Sequence, residues 1–370
     1  MKRFGKDDVL SILTLLPSII LVAVFVYGFI GQTAYVSLSD WGQDAALSLT
    51  PEIKLIGFEN YDSLFNNFTN TRFRQDIVNT FTYMVLIIGG ALLIGLVTAM
   101  LLDREPKGDN SVRTIFLYPM ALSFVVTGTI WRWMLAPQGG VNLIPTWFGL
   151  ERGQFRWLSS RVQILQFNWQ NVPQIIAVIV GVVFLIVALR ARGAGRSRKM
   201  WITAVLAGLL VLWGIVGWPK VTALAYEETH GVNLATFGVI IAAIWQYSGY
   251  TMALFLAGLQ GIPVALHDSA KITGANEFQY YWHIAIPMLK TTALSAVIIL
   301  SHVSLKIFAL IFSMAGPDNA QTGHPAVLMY LETFRANNMA KGAAISIVLF
   351  LIAALFIIPY LVYSHRERRA

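Results

Sequence analysis

Eight separate stretches of this chain are long and apolar enough to cross a bilayer as helices, which takes roughly 20 residues each. They lie at about 11–37, 77–102, 114–135, 172–190, 201–219, 237–260, 291–314 and 342–363. Hydrocarbon offers no hydrogen bonds, so a spanning backbone must satisfy its own polar groups, and a helix does this within one segment. The pattern predicts an all-α fold: a polytopic membrane helix bundle of about eight transmembrane helices. Composition agrees. Of 370 residues, 56% are hydrophobic and only 12% charged, against roughly a quarter charged in a soluble domain. Disorder, a collagen-like fibre and a disulfide-stapled module are excluded. The chain has no cysteine, which removes thiol chemistry, Cys-ligated zinc and iron–sulfur clusters. A net charge of +8 fits the positive-inside bias of membrane proteins better than nucleic-acid binding.

The first stretch follows Met1-Lys2-Arg3. Its apolar run exceeds that of a signal peptide, so it reads as a retained anchor. Orientation follows from Lys and Arg. With the N-terminus inside, the inner segments hold sixteen: Lys2, Arg3, Lys6, Arg104, Lys107, Arg113, Arg190, Arg192, Arg196, Arg198, Lys199, Lys271, Lys290, Arg366, Arg368 and Arg369. The longer outer segments hold nine, among them Arg72, Arg74, Arg152, Arg156 and Arg161. Both termini are therefore expected in the cytoplasm of a cell (inner) membrane protein. The outer loop 38–76 has amphipathic pieces such as Tyr61–Phe65 that suit a cap on the bundle.

One inner loop looks built. Pro263 suits a first helical position, and Gly274 suits a left-handed stop. Asn276 and Gln279 suit a capping box opening a second helix. Phe278, Tyr281, Trp282 and Ala285 have the spacing of one buried face, and Pro287 ends the helix before Lys290. From the residues alone, this helix–turn–helix is either an amphipathic connector on the membrane or a docking element for a soluble partner.

The spacing Asp268-Ser269-Ala270, three residues, Gly274, nine residues, Ile284, two residues, Pro287 resembles the cytoplasmic loop signature of binding-protein-dependent ABC importer permeases. Asp268 stands where that family usually has Glu, Ser269 where it has Ala, and Ile286 where it has Leu. Further segments resemble the maltose-type carbohydrate branch. They are Gly57-Phe58-Glu59-Asn60-Tyr61 with Asn79-Thr80-Phe81, Trp245 to Tyr250, Leu256 to Pro263, and Leu305-Lys306-Ile307-Phe308 through Gly316-Pro317. The resemblance implies a type I importer-like permease domain over 1–370. Its six-span core would be about 77–135 and 237–365, with an anchor at 11–37, an extra hairpin at 172–219 and a coupling loop at 261–290. It also implies partners: a second permease chain, two cytoplasmic ATPase subunits and an extracytoplasmic sugar-binding protein.

The chain carries no Gly-x4-Gly-Lys-Ser/Thr phosphate loop. No cofactor is therefore expected on it; ATP and Mg would sit on the partner ATPase. The implied function is import of a mono-, di- or oligosaccharide by alternating access. In that scheme the helix 263–273 is pushed by the closing ATPase dimer. Asp268 receives hydrogen bonds or a cation from the partner, small Ser269 and Ala270 allow close approach, and Gly274 sets the turn.

Polar residues within spans are costly and mark candidate pathway positions. His302 and Lys306 lie four apart on one helical face. Either they line a translocation path or they make polar helix contacts with Lys306 snorkelling. Trp245, Gln246, Tyr247 and Tyr250 combine stacking faces with hydrogen-bonding groups, as a sugar site needs, or serve as interface anchors. Asn79, Thr80 and Tyr83 have the same standing. Arg132, between Trp131 and Trp133, reads as an interfacial anchor. His324 and Glu332 read as solvated loop residues, with no metal-ligand spacing. Two other classes compete. A membrane-embedded glycosyl or acyl transferase would need a cluster of carboxylates or histidines, and a stand-alone secondary transporter would show repeated halves.

Overall fold

The computed structural model describes residues 6–42, 53–103, 109–193, 197–217 and 220–367, with backbone alone at 6–12, 109–112 and 360–367. The cations at 2, 3, 104, 107, 196, 368 and 369 lie outside the described residues.

The anchor is α1 (Lys6–Val22) and α2 (Phe29–Ser37), joined by a π-helical segment. A short α3 (Glu59–Asn66) follows in the loop expected outside (inner and outer name the sides expected from the Lys and Arg count), then the long α4 (Thr71–Asp103). The expected cap is present. Leu64 of α3 is fully buried beside Phe73 and Ile345, and Asn60 ties α3 to the end of α2 by donating to the Ser37 and Ser39 carbonyls.

The expected third span is sharply broken. It consists of α5 (Asp109–Ala121) and α6 (Phe124–Met134), bent by 104°. The break has a local cause. Pro119 interrupts the hydrogen-bond ladder. Ser123 is extended and caps α6 through the Val126 N–H.

Next come β1 (Gln163–Asn168), α7 (Val172–Gly193), α8 (Ser197–Val216) and β2 (Thr229–Asn233). The antiparallel β1–β2 ribbon pairs Gln163 with Asn233 and Asn168 with Thr229. This short two-stranded ribbon is an addition to an otherwise all-α bundle. The strand alternation spans six residues and carries a bulge with Leu165 at φ 56°, too short and irregular to stand out. Within the hairpin, Gly181 faces Ala207 and Val211, and Gly214 faces Gln174 and Val178. Small residues let the two backbones approach closely.

The remaining core runs through α9 (Leu234–Gln260), α10 (Val264–Ile272), α11 (Glu277–Tyr280), α12 (Ile286–Met288), α13 (Lys290–Ser304), α14 (Phe308–Met314), α15 (Pro325–Tyr330) and α16 (Met339–Glu367). Among the described residues, six helices are individually long and apolar enough to span, with two bent pairs besides. The expected seventh span, 291–314, is interrupted at Leu305–Ile307 between α13 and α14. Hydroxyls crowd the break: Ser301 bonds the Val297 carbonyl and Ser304 the Ser301 carbonyl, competing with the ladder.

The centre of the bundle is the parallel pair α4 and α9. Gly90 meets Ile244, Gly95 meets Thr251, and the Thr251 hydroxyl donates to the Ala91 carbonyl at 2.6 Å. Large apolar side chains on α2, α7, α8 and α16 face outward, where lipid is the solvent.

Candidate functional sites: an inner helix–turn–helix and a polar outer cap

The inner loop forms as its residues dictate. Pro263 sits one place earlier than expected, as the extended residue before α10. Gly274 follows α10 with φ +80°, a conformation that costs a Cβ-bearing residue. The capping box is reciprocal: Asn276 N–H donates to Gln279 Oε1 at 2.9 Å, and Gln279 N–H to Asn276 Oδ1 at 2.8 Å.

The aromatic face differs from expectation. A π turn at Tyr281–Ala285 shifts the register. Tyr280, Tyr281, Ala285 and Leu289 are buried against Leu256, Leu259 and Ala99. Phe278 and Trp282 stack on each other at 6.1 Å and remain exposed. Ile284 packs beside the buried set, and Pro287 opens the single turn α12 rather than ending the helix. A 64° bend separates α11–α12 from α13.

Signature residues divide by side. Ala270 is buried, holding α10 down onto the bundle, while Asp268 and Ser269 are exposed. His267 is 3.3 Å from Glu277 and its ring lies 4.6 Å from that of Tyr280, tying the two helices together. Tyr281 donates to Asp103 at 3.0 Å, tying the loop to the inner end of α4. The element is thus rigid and presents Val264, Ile272, Phe278 and Trp282 outward, with Asp268 free of ion pairs among the described residues.

The span candidates separate into three groups. Asn79 and Tyr83 are fully buried. Asn79 donates to the Gln321 and Gly323 carbonyls and Tyr83 to the Thr322 carbonyl, so they pin the outer segment 319–324 onto α4. Thr80 is also buried and bonds its own helix at the Asp76 carbonyl. Gln246 donates to the Leu122 carbonyl at the α5–α6 break. Trp245 and Tyr247 lie edgewise or tilted against Trp131 and Phe124 of α6, and Tyr250 is half-buried. His302 and Lys306 are exposed; Lys306 sits in the α13–α14 break. Arg132 is exposed and borders an outer cleft.

Two expectations are corrected. His324 is fully buried rather than solvated: its Nδ1 accepts the Ala326 N–H, capping α15. Burial pushes its pKa down to about 3, so the ring is neutral. Glu332 is mostly buried and pairs with Lys341 at 2.8 Å.

The sequence reading missed a buried cluster in the outer cap. Arg74 is fully buried. It holds both carboxylate oxygens of Glu228, the Tyr226 hydroxyl, and the carbonyls of Leu64, Phe65 and Asn67. Glu228 also lies 2.5 Å from His230 Nε2, whose Nδ1 meets Gln75. Burial alone would raise the Glu228 carboxyl, but the Arg74 and His230 hydrogen bonds overcome it and hold it below its ordinary range. Burial depresses His230, against the pull of Glu228. A cation so close to the apolar run of α4 was the available signal.

A helical bundle with lipid-facing walls, two broken spans, a pinned cap at one end and a helix–turn–helix at the other is the architecture of a polytopic membrane protein, and its family makes it a transport component rather than an enzyme. The chain belongs to the ABC importer permeases. The family model described as "binding-protein-dependent transport system inner membrane component" matches residues 200–370. Over 366 residues, the chain is 32% identical to a probable ABC transporter permease of Pyrococcus horikoshii, covering 98% of each. It is 28% identical to a xylose/arabinose import permease of Haloferax volcanii, over 94% of this chain and 86% of that one. It is 23% identical to a trehalose/maltose transport system permease of Thermococcus litoralis, over 96% and 94%. The fold is similar to that of a chain in a bacterial ABC transporter importing the acidic polysaccharide alginate, with TM-score 0.61, 19% identity, and coverage of 98% of this chain and 96% of that one.

Proposed function

We propose that this chain is the sugar-conducting permease subunit of an ATP-driven importer in the cytoplasmic membrane, with both termini cytoplasmic. The observation that carries the reading is the inner element. Its α10 is tied to α11 through His267 and buries Ala270 in the apolar cluster of the loop, which Tyr281 bonds to α4, yet its outward side is apolar and carries a free carboxylate. An apolar patch rimmed by charge suits a protein partner. The partner is an ATPase subunit, two per transporter, holding ATP and Mg. Asp268 meets a donor in the ATPase cleft, Ser269 faces the cleft wall, and Gly274 and the capping box fix the angle of α10. ATP-driven closure moves α10, and the α4–α9 pair moves with it as a rigid body.

Relatives described as permeases for xylose/arabinose, trehalose/maltose and α-glucosides support a sugar as cargo. A second permease chain completes the pathway as a heterodimer, and an extracytoplasmic binding protein delivers the sugar. A solved relative in complex with a periplasmic protein bound to an alginate pentasaccharide supports that last partner. The pathway is lined by His302, Lys306, Trp245, Tyr247 and Tyr250. Asn79, Tyr83 and Gln246 stand one layer behind and hold the segments that frame it.

The test is affinity purification of the chain from its native membrane in mild detergent, beside an Asp268→Arg/Gly274→Pro variant. Wild type should bring down a soluble ATPase and a second permease, and the variant should lose the ATPase alone. A chain that purifies alone in both cases, from membranes containing the ATPase, refutes the reading.

A further inference from the structure

The outer ends of α6 and α14 and the loop leading to β1 enclose an open cleft of about 690 Å³, the size of a small-ligand site. Ala136, Pro137 and Leu158 give it an accessible apolar wall, backed by the buried Leu135 and Met314. Three charged side chains border it: Arg132, Arg161 and Asp318. Asp318 is already neutralised, because Arg335 donates to both of its oxygens at 2.8 and 3.1 Å. Arg132 and Arg161 are exposed and make no ion pair or hydrogen bond among the described residues.

The cleft therefore presents two free guanidinium groups and no free carboxylate. Outer-face cations gain nothing from the positive-inside bias, so their pairing beside an apolar wall has another cause. Guanidinium forks match carboxylate and sulfate oxygens in geometry as well as charge. An apolar wall suits the C–H face of a sugar ring.

We infer that this cleft binds an anionic carbohydrate, a uronate or sulfated sugar, with its acid groups on Arg132 and Arg161 and a ring face against Ala136, Pro137 and Leu158. The inference rests on the sugar-importer reading and narrows its cargo.

The test uses the full chain in phosphatidylcholine nanodiscs, titrated with α-1,4-digalacturonate and with its neutral counterpart α-1,4-galactobiose. Trp131 and Trp157 pack against the same apolar cluster as Leu135 and Leu158, so intrinsic fluorescence is the readout. Digalacturonate should bind roughly tenfold or more tightly than galactobiose, the scale of a charge-assisted hydrogen bond. Added salt should reduce that preference. Arg132→Gln/Arg161→Gln should abolish it, and Arg132→Lys/Arg161→Lys should keep part of it. Equal affinity for the two sugars, no saturable binding of either, or wild-type affinity in the Gln pair overturns the inference. So does loss of digalacturonate binding in phosphatidylglycerol nanodiscs, which would give the arginines to lipid headgroups. Uptake of neutral sugars alone by the assembled importer refutes the anionic cargo and leaves the importer intact; absence of a co-purifying ATPase strikes the importer reading itself.

Discussion

Replacing Arg74 with methionine isolates what the buried outer cluster contributes. Methionine fills most of the arginine stem volume, so the cavity contribution stays small. What is lost is electrostatic. Glu228, only 7% exposed, keeps its charge without its bidentate partner. The Tyr226 hydroxyl and the carbonyls of Leu64, Phe65 and Asn67 lose a donor. Breaking a buried pair from one side costs about 3–5 kcal/mol. At roughly 2–4 °C per kcal/mol for a sizeable domain, the melting temperature should fall on the order of 10 °C. Thermal unfolding of detergent-purified protein, followed by tryptophan fluorescence, measures it. Arg74→Met/Glu228→Met removes both charges and should recover most of the loss, because an apolar pair of similar volume is often as stable as a buried ion pair. A single variant that melts within about 2 °C of wild type, or a double variant no better than the single, refutes the reasoning.

The same cluster makes stability depend on pH. Depressed pKa values at His230 and Glu228 mean that the unfolded chain takes up protons that the folded chain resists. The His230 contribution is therefore full above its unfolded value of 6.5 and the Glu228 contribution above 4.5, and each declines as pH falls below that value; a melting temperature that rises on acidification would contradict this. Gly274→Ala has open space around its new methyl but keeps φ +80°, so the backbone alone is strained, by about 1 kcal/mol. Insertion should be unaffected, transport per ATP hydrolysed should drop, and Gly274→Asn should restore part of it. Gly249→Val places its Cβ 1.9 Å from the Phe116 carbonyl, so α5 must leave α9, and the folded yield of monodisperse protein should fall sharply.

Most of the architecture was legible because hydrocarbon makes length and polarity decisive; the anchor, the hairpin, α4, α9 and α16 fall where apolar length puts them. The breaks were less visible. Ser123 and Pro119 carry a local signal for the α5–α6 kink, but a 104° bend reflects how Gln246 holds the Leu122 carbonyl, a contact 124 residues away in sequence. The inner element was readable in its caps and turn. Its buried face was not, because one π turn moves Phe278 and Trp282 out and Tyr280 in. Asn79 and Tyr83 announced themselves as costly polar groups, but only the fold shows that their partners are backbone carbonyls of the outer segment. Arg74 lies 154 residues from Glu228, the neighbour of His230, so nothing local in the sequence links the cluster.

That ribbon has a consequence for modularity. Because Trp169 N–H bonds the Glu228 carbonyl at 2.7 Å, the points where the chain leaves for α7 and returns from α8 stand side by side. The hairpin is thus a cassette spliced into a hairpin turn. A two-residue Asn-Gly link between Trp169 and Glu228, the connection that antiparallel strands favour, would close the ribbon while removing the Tyr226 hydroxyl from Arg74. A designer could trade this pair of helices for another membrane module, provided that the stretch from Tyr226 onward is kept to serve Arg74.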